Sequence, residues 1–376
     1  MKKNLFGLAL FAFAFALCGL TACDNDDKDG QNDDLSGIVN GGEEEEEEDR
    51  VVTVGAYILN TGNWKGNDAS IMYLDKQTGT LSGDLYAAAN GESLGDLGQD
   101  LCQYGSKLYV TVSNSTKVVV MDKNCKALKT INLTDEAGVP TKPRYMTAVD
   151  GNVYFTAYDG TVSRLDTLTM EVNGKIAVGD YPEAITNAKG KLFVNISGYG
   201  QENKVAVVDL ATFTKVKDIE VLLNPYTQCE VGADGFVYMV SNGNYAGKPN
   251  LDPADYVYGT MQRINPETYE VEQVCRASYI ANSGDKMYIL YSEYYLPDLA
   301  RAYVYDLKTG EESTLFDLST LSSPNSIDVD PSNGDVYVTN APYGAASDVY
   351  VYTKDGSLKT TFEVGNSASK ILFVSK

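Results

Sequence analysis

The chain has 376 residues, 52 acidic against 30 basic, a formal net charge of −22, 27 tyrosines and no histidine. The acidic balance repels phosphate backbones, which argues against nucleic acid and anionic membrane surfaces as partners. The lack of histidine removes Ser-His-Asp and Cys-His catalysis, His-ligated zinc and imidazole as a general base.

The first 22 residues read as a signal peptide. Met1-Lys2-Lys3 is basic, and the apolar run from Leu5 to Leu17 is too short to span a bilayer. Leu20-Thr21-Ala22-Cys23 has the form of a lipobox, which predicts acylation of Cys23 and a lipid anchor. The alternative is an ordinary secretory signal with a chance cysteine. Residues 23–50 form an acidic tether with Asp24, Asp26, Asp27, Asp29, Asp33, Asp34, Glu43 to Glu48 and Asp49. Like charges and few apolar groups predict an extended, disordered spacer. The acidic residues directly after Cys23 resemble the surface-export tag of Bacteroidetes lipoproteins, which implies the outer leaflet. The plain reading is a solvated spacer facing the periplasm.

Residues 51–376 repeat about seven times. Strand cores recur at Ala56-Tyr57-Ile58, Leu108-Tyr109-Val110, Val153-Tyr154-Phe155, Leu192-Phe193-Val194, Val237-Tyr238-Met239, Met287-Tyr288-Ile289 and Val336-Tyr337-Val338. A second strand follows each core and ends in a turn at Asp75, Asp122, Asp166, Asp209, Asn265, Asp306 or, more loosely, Thr353. The turn-to-turn spacing of 41 to 56 residues lies in the propeller range. Alternation in runs such as Val205 to Asp209 is the strand period of two. An Asp at a turn bonds its own backbone two residues on, which accounts for its recurrence. The expected fold is all-β, a seven-bladed β-propeller whose four-stranded blades run A to D from the axis outward. The first repeat lacks an A strand before Ala56, and Ser369 to Val374 is an A strand without a blade. The C-terminal strand therefore completes blade one and closes the ring, leaving few free edges.

The repeat has a constant end and a variable end. The A–B and C–D turns stay short. The distance from the strand-B aromatic to the strand-C turn residue varies from Tyr154–Asp166 to Tyr238–Asn265. Insertions on one face of a repeat array mark a binding face. Its loops carry Asn60, Trp64, Asn114, Tyr158, Tyr199, Asn242, Tyr245, Tyr256, Tyr258, Tyr294, Tyr295, Asn340 and Tyr343. Strand-A entries add Arg144, Tyr145 and Tyr226 to the candidate ligand-binding set, beside Gln99, Glu183, Ser278 and Asn325 at the channel mouth. Tyrosine offers rigid area with a hydroxyl, and asparagine offers donor and acceptor together. This suits a bulky, mostly neutral ligand rich in amides or hydroxyls. The plain alternative is that the rings cover loops.

No catalytic constellation stands out, so a non-enzymatic protein without a resident cofactor is expected. Asp328, Asp330, Asn333 and Asp335 do not follow the calcium-loop spacing, and a β-turn accounts for them. Apart from Cys23, the mature chain holds Cys102, Cys125, Cys229 and Cys275, as two disulfides or as buried thiols.

The segment from Ile176 to Ile185 leading into Lys191 to Val194 resembles the YncE-like propellers. The acidic lipoprotein leader joined to a Tyr/Asn-rich body resembles the corrinoid-binding surface lipoproteins of the BtuG type and their DUF5074 surface-layer relatives. The likeness spans essentially the whole mature chain, yet no ligand-contact residue of those proteins matches individually. The resemblance implies capture of cobalamin or another corrinoid at the cell surface. It also implies transfer to a BtuB-type TonB-dependent outer-membrane transporter. Without histidine the protein offers no imidazole to the cobalt, so recognition would rest on the ligand's periphery. Glycan or protein adhesion without corrinoid stands as the alternative.

Overall fold

The computed structural model describes residues 51–135 and 137–376. The expected signal peptide, Cys23 and the acidic tether lie outside the described residues. Seven four-stranded antiparallel sheets stand in a ring as a seven-bladed β-propeller. Blade two is representative, with strands Gly98–Tyr104, Lys107–Val112, Lys117–Met121 and Ala127–Asn132.

Burial explains the strand sequences. Strands B and C are covered on both faces by neighbouring blades. They therefore read as continuous apolar runs, such as Val118-Val119-Val120 in blade two and Val205 to Val208 in blade four, all fully buried. Strand D lies outermost and is polar. In blade four it reads Thr214–Glu220, and only Ile219 is buried. Charges along such an edge oppose pairing with another chain.

The C-terminal strand Ala368–Ser375 pairs antiparallel with Thr53–Asn60, with Ala56 opposite Phe373 and Ile58 opposite Ile371. Blade one thus joins both ends of the described chain. Its sheet packs Tyr57 and Leu59 against Leu101 and Val110 of blade two, and Ala56 and Ile58 against Tyr337 and Val349 of blade seven. Asp330 of blade seven is fully buried and accepts the Thr53 hydroxyl at 2.5 Å and the Lys76 ammonium, both from blade one. The same carboxylate caps its own turn through the Ser332 N–H at 2.9 Å, while Asp335 pairs with Lys359 at 2.7 Å. These acidic residues are turn and seam residues.

The recurring turns form as their chemistry demands. Asp75, Asp166, Asn265 and Asp306 each accept backbone N–H groups two and three residues on. Blade one departs from the repeat. Its D strand is only Thr80–Leu81, and a short helix, Leu85–Asn90, takes over the outer edge. Asp84 caps its N-terminus, Gly91 ends it at φ 75°, and Tyr86 is buried beneath it.

Blade six also differs from expectation. Its extra length is not a loop. Strands Lys286–Glu293 and Leu296–Asp306 keep pairing as far as Glu293 opposite Leu296, so a hairpin with Tyr294 and Tyr295 at its tip rises above the face. In blade five, residues 242–259 form an irregular strap containing a single 3₁₀ turn, Pro253–Asp255. A methyl group added to Gly247 would touch Leu296 and Tyr295, so strap and hairpin lean on each other as one wall.

Candidate functional site: the axial cavity

The B–C loops and D–A connections surround a cavity of about 1070 Å³ that runs down the axis. Strand A of every blade faces it. Strand A of blade five, whose register shifts between Pro225 and Cys229, lines it with every residue from Tyr226 to Glu230.

Ten of the sixteen predicted ligand-binding residues line this space: Trp64, Asn114, Arg144, Tyr145, Tyr158, Tyr199, Tyr226, Asn242, Tyr245 and Tyr294. The other six lie elsewhere. Asn60 is fully buried, donating to the Ser70 hydroxyl at 3.1 Å. Asn340 is also buried, and its oxygen accepts the Ser323 N–H at 2.7 Å. Tyr256 and Tyr258 pack edge to face within the blade-five strap, with Arg276 4.0 Å above the Tyr258 ring. Tyr295 packs against Tyr294 with ring centres 4.9 Å apart. Tyr343 is 95% exposed at the tip of the blade-seven loop.

The cavity has two unlike walls. Blades three to five supply Tyr145, Tyr158, Tyr199, Tyr226 and Tyr245. Blades six, seven and one supply mainly small hydroxyls, among them Ser278, Ser292, Ser323, Ser326, Ser367 and Ser369, beside Tyr279, Tyr294 and Trp64. Apart from Ser278, composition alone hid these serines, because isolated serines carry no pattern. All but Ser292, on strand B of blade six, sit on strand A or its entry, and that common place is the signal that could have exposed them.

A buried ion pair lies beside Tyr145 and Tyr158 in the tyrosine wall. Arg144 donates to Glu183 Oε2 through Nε at 2.9 Å and Nη2 at 2.8 Å, and through Nη1 to Gln99. Burial works against the Arg144 charge, and the Glu183 carboxylate outweighs it, so the guanidinium stays protonated.

Deeper in the channel, Lys370 reaches Asp100 at 2.5 Å. Burial opposes the ammonium, and Asp100 outweighs it, holding the Lys370 pKa above its usual value. Asp328 accepts the Ile371 N–H at 3.1 Å and Glu230 accepts the Asn282 N–H at 2.9 Å, each stitching one blade to the next. Burial pushes both carboxyls up to about 7, and their mutual repulsion adds to the Glu230 shift.

Cys102, Cys125, Cys229 and Cys275 are all free thiols. Burial pushes Cys102 and Cys125 up to about 12 and Cys275 to about 11, and raises Cys229 as well. Such thiols stay protonated and unreactive at neutral pH.

Fold and site define a β-propeller with a tyrosine-walled axial cavity. Residues 54–366 match the domain of unknown function DUF5074, and the chain belongs to that family. No curated protein matches the sequence significantly. Among solved structures, a streptogramin B lyase aligns with TM-score 0.55 at 13% identity over 72% of this chain and 83% of that one. Apo AztD from Citrobacter koseri aligns with TM-score 0.52 at 11% identity over 87% and 99%. Hydrazine synthase from Kuenenia stuttgartiensis aligns with TM-score 0.53 at 16% identity over 70% and 85%. At these identities the likeness concerns the fold alone.

Proposed function

We propose that this chain is a cell-surface binding lipoprotein that takes a corrinoid into the axial cavity and hands it to a BtuB-type TonB-dependent transporter. The observation that carries the reading is the cavity itself. At about 1070 Å³ it reaches the upper end of the range for drug-sized ligands, which suits a larger guest. A corrin is broad, flat and rimmed with amides. Its face would lie against Tyr145, Tyr158 and Tyr226, and its amides would meet the serine wall and Asn325. The body is bound by shape and periphery, without chemistry on the ligand. Lipidation of Cys23 would hold the protein at the outer membrane, with the acidic tether giving reach.

Calorimetry with cyanocobalamin at micromolar protein tests this, and a bound corrinoid co-elutes as colour. Heat with 1:1 stoichiometry is expected. No heat and no colour would remove the corrinoid. The serine wall would then favour the second reading, adhesion to a hydroxyl-rich glycan stacked on the tyrosines. For location, Cys23→Ala should release the protein from membranes. Protease added to intact cells should remove the wild-type body, and protection would put it in the periplasm instead.

A further inference from the structure

Burying an ion pair is a poor way to stabilise a fold, because desolvation offsets the attraction. Arg144, which lines the cavity, and Glu183 behind it are nonetheless 8% and 1% exposed. What the pair does is hold rings. Tyr158 donates its hydroxyl to Glu183 Oε1 at 2.7 Å, and the Arg144 guanidinium lies 4.5 Å from the Tyr158 ring centre and 5.4 Å from that of Tyr145. Gln99, which accepts from Arg144, donates to the Tyr145 hydroxyl at 2.9 Å. The order continues outward. Tyr158 packs edge to face on Tyr181 at 5.1 Å, and Tyr181 packs on Tyr199 at 5.3 Å. Tyr199 is 76% exposed at the rim, so a chain of contacts links a buried charge to the open mouth.

We propose that Glu183 and Arg144 are positioning residues. The pair sets the orientation of Tyr145, Tyr158 and, through Tyr181, Tyr199 before any ligand arrives. The part of this that concerns affinity rests on the corrinoid reading above. Side chains already fixed in the free protein lose less freedom on binding, which is the general source of gain from preorganisation. For two tyrosines the gain is about tenfold in Kd.

The test compares Arg144→Met/Glu183→Leu, which removes both charges and strands neither, with Glu183→Gln, whose amide oxygen keeps an acceptor for Arg144 while its NH2 donates to the Tyr158 hydroxyl. Three quantities are read: the melting temperature, the ligand-free fluorine NMR spectrum of 3-fluorotyrosine-labelled protein, and the Kd for cyanocobalamin. The double variant should melt close to the parent, move the Tyr145 and Tyr158 resonances toward averaged positions, and bind about tenfold more weakly. Glu183→Gln leaves the buried Arg144 charge unpaired and should melt below the parent, yet it keeps the hydrogen bonds and should retain dispersion and most of the affinity. Unchanged resonances in the double variant overturn the proposal, as does an unchanged Kd where the parent binds. If the parent gives no heat with cyanocobalamin, the corrinoid reading fails, and the ligand-free spectra alone decide the positioning role. Should the double variant not fold, Gln99→Leu frees the Tyr145 hydroxyl while keeping both charges. It should average the Tyr145 resonance, and a spectrum identical to the parent would overturn the proposal.

Discussion

On the lower rim, Asp75, Asp166 and Asp306 fold back onto the N–H groups two and three residues on, and the chain reverses in the same way each time. On the upper rim the equivalent reversals run from Tyr294–Tyr295 alone in blade six to residues 242–259 in blade five. The same seven repeats make both rims. Below, the Asp turns are solved locally by one side chain and its own backbone. Above, the long connection of blade five is held by its neighbours. Glu293 of blade six accepts the Gly259 N–H of blade five at 2.7 Å, and Asn224 accepts the Asn242 N–H through its carbonyl at 2.8 Å. A rim built locally can repeat. A rim built by mutual contact is free to vary, and variation there shapes a cavity.

The largest expected effect comes from breaking what both rims depend on, the seam in blade one. Deleting residues 369–376 removes the inner strand against Thr53–Asn60, exposes Ala56 and Ile58, and strands Asp100 without Lys370. The truncated protein should show no cooperative melting transition. A melting curve like the parent's would mean that the ring does not need this strand.

The same contrast decides what the sequence made legible. Strand cores and Asp turns are local signals, with a period of two and a side chain that bonds its own loop, so blade count and closure could be read. The helix Leu85–Asn90 left only a short signature, Asp84 and Gly91 around six residues. The blade-six hairpin looked like a loop because the register shifts between Tyr291, opposite Arg301, and Glu293, opposite Leu296, which breaks the strand period of two. At the site, tyrosines on loops were visible as composition. Whether each points inward was not, since Tyr256 and Tyr258 are drawn into their own strap by each other and by Arg276. The Arg144–Glu183 pair joins two blades, and no local pattern announces it.

A methyl group placed on each rim sharpens the comparison. Gly356 at the lower rim has φ +85°, and an added Cβ would stand 1.7 Å from the Leu315 carbonyl oxygen. Gly243 at the upper rim has φ +65°, and its Cβ would stand 1.8 Å from the Val257 oxygen. Gly356→Ala presses on the neighbouring blade and should cost roughly 3 kcal/mol. Gly243→Ala presses on a strap that can lift away, so it should cost about 1 kcal/mol of global stability while weakening ligand binding more. Equal drops in denaturant midpoint would show that the strap is as fixed as the turn.

Next come the rim aromatics. Trp64, Tyr245 and Tyr294 are 62%, 50% and 84% exposed and line the cavity. Replacing each with Ala should leave the melting temperature unchanged and cost about 2 kcal/mol in ligand binding for the strongest anchor. Tyr343→Ala and Tyr256→Ala lie off the cavity and should leave ligand affinity alone. A loss of affinity at Tyr343 matching that at Tyr245 would move the ligand out of the cavity.

The smallest effect is a difference in sign. Backbone N–H groups hold the pKa of the turn carboxylates Asp75, Asp166, Asp209 and Asp306 below their usual value. Their contribution is present above about pH 4 and fades as the pH falls. Burial instead pushes Asp328 and Glu230 up to about 7. Their contribution is full below about pH 4 and is lost as the pH rises toward about 7. Asp328→Asn keeps an acceptor for the Ile371 N–H and cannot ionise. Its melting temperature should therefore gain on the parent between about pH 4 and 7, level off above that, and reach an advantage of roughly 2–4 °C. Asp209→Asn should do the reverse. Its deficit should stand at neutral pH and close as the solution is acidified. Melting curves of both variants from about pH 3 to 8 measure this, and an Asp328→Asn curve parallel to the parent's would show that the channel carboxylates are solvated like those of the turns.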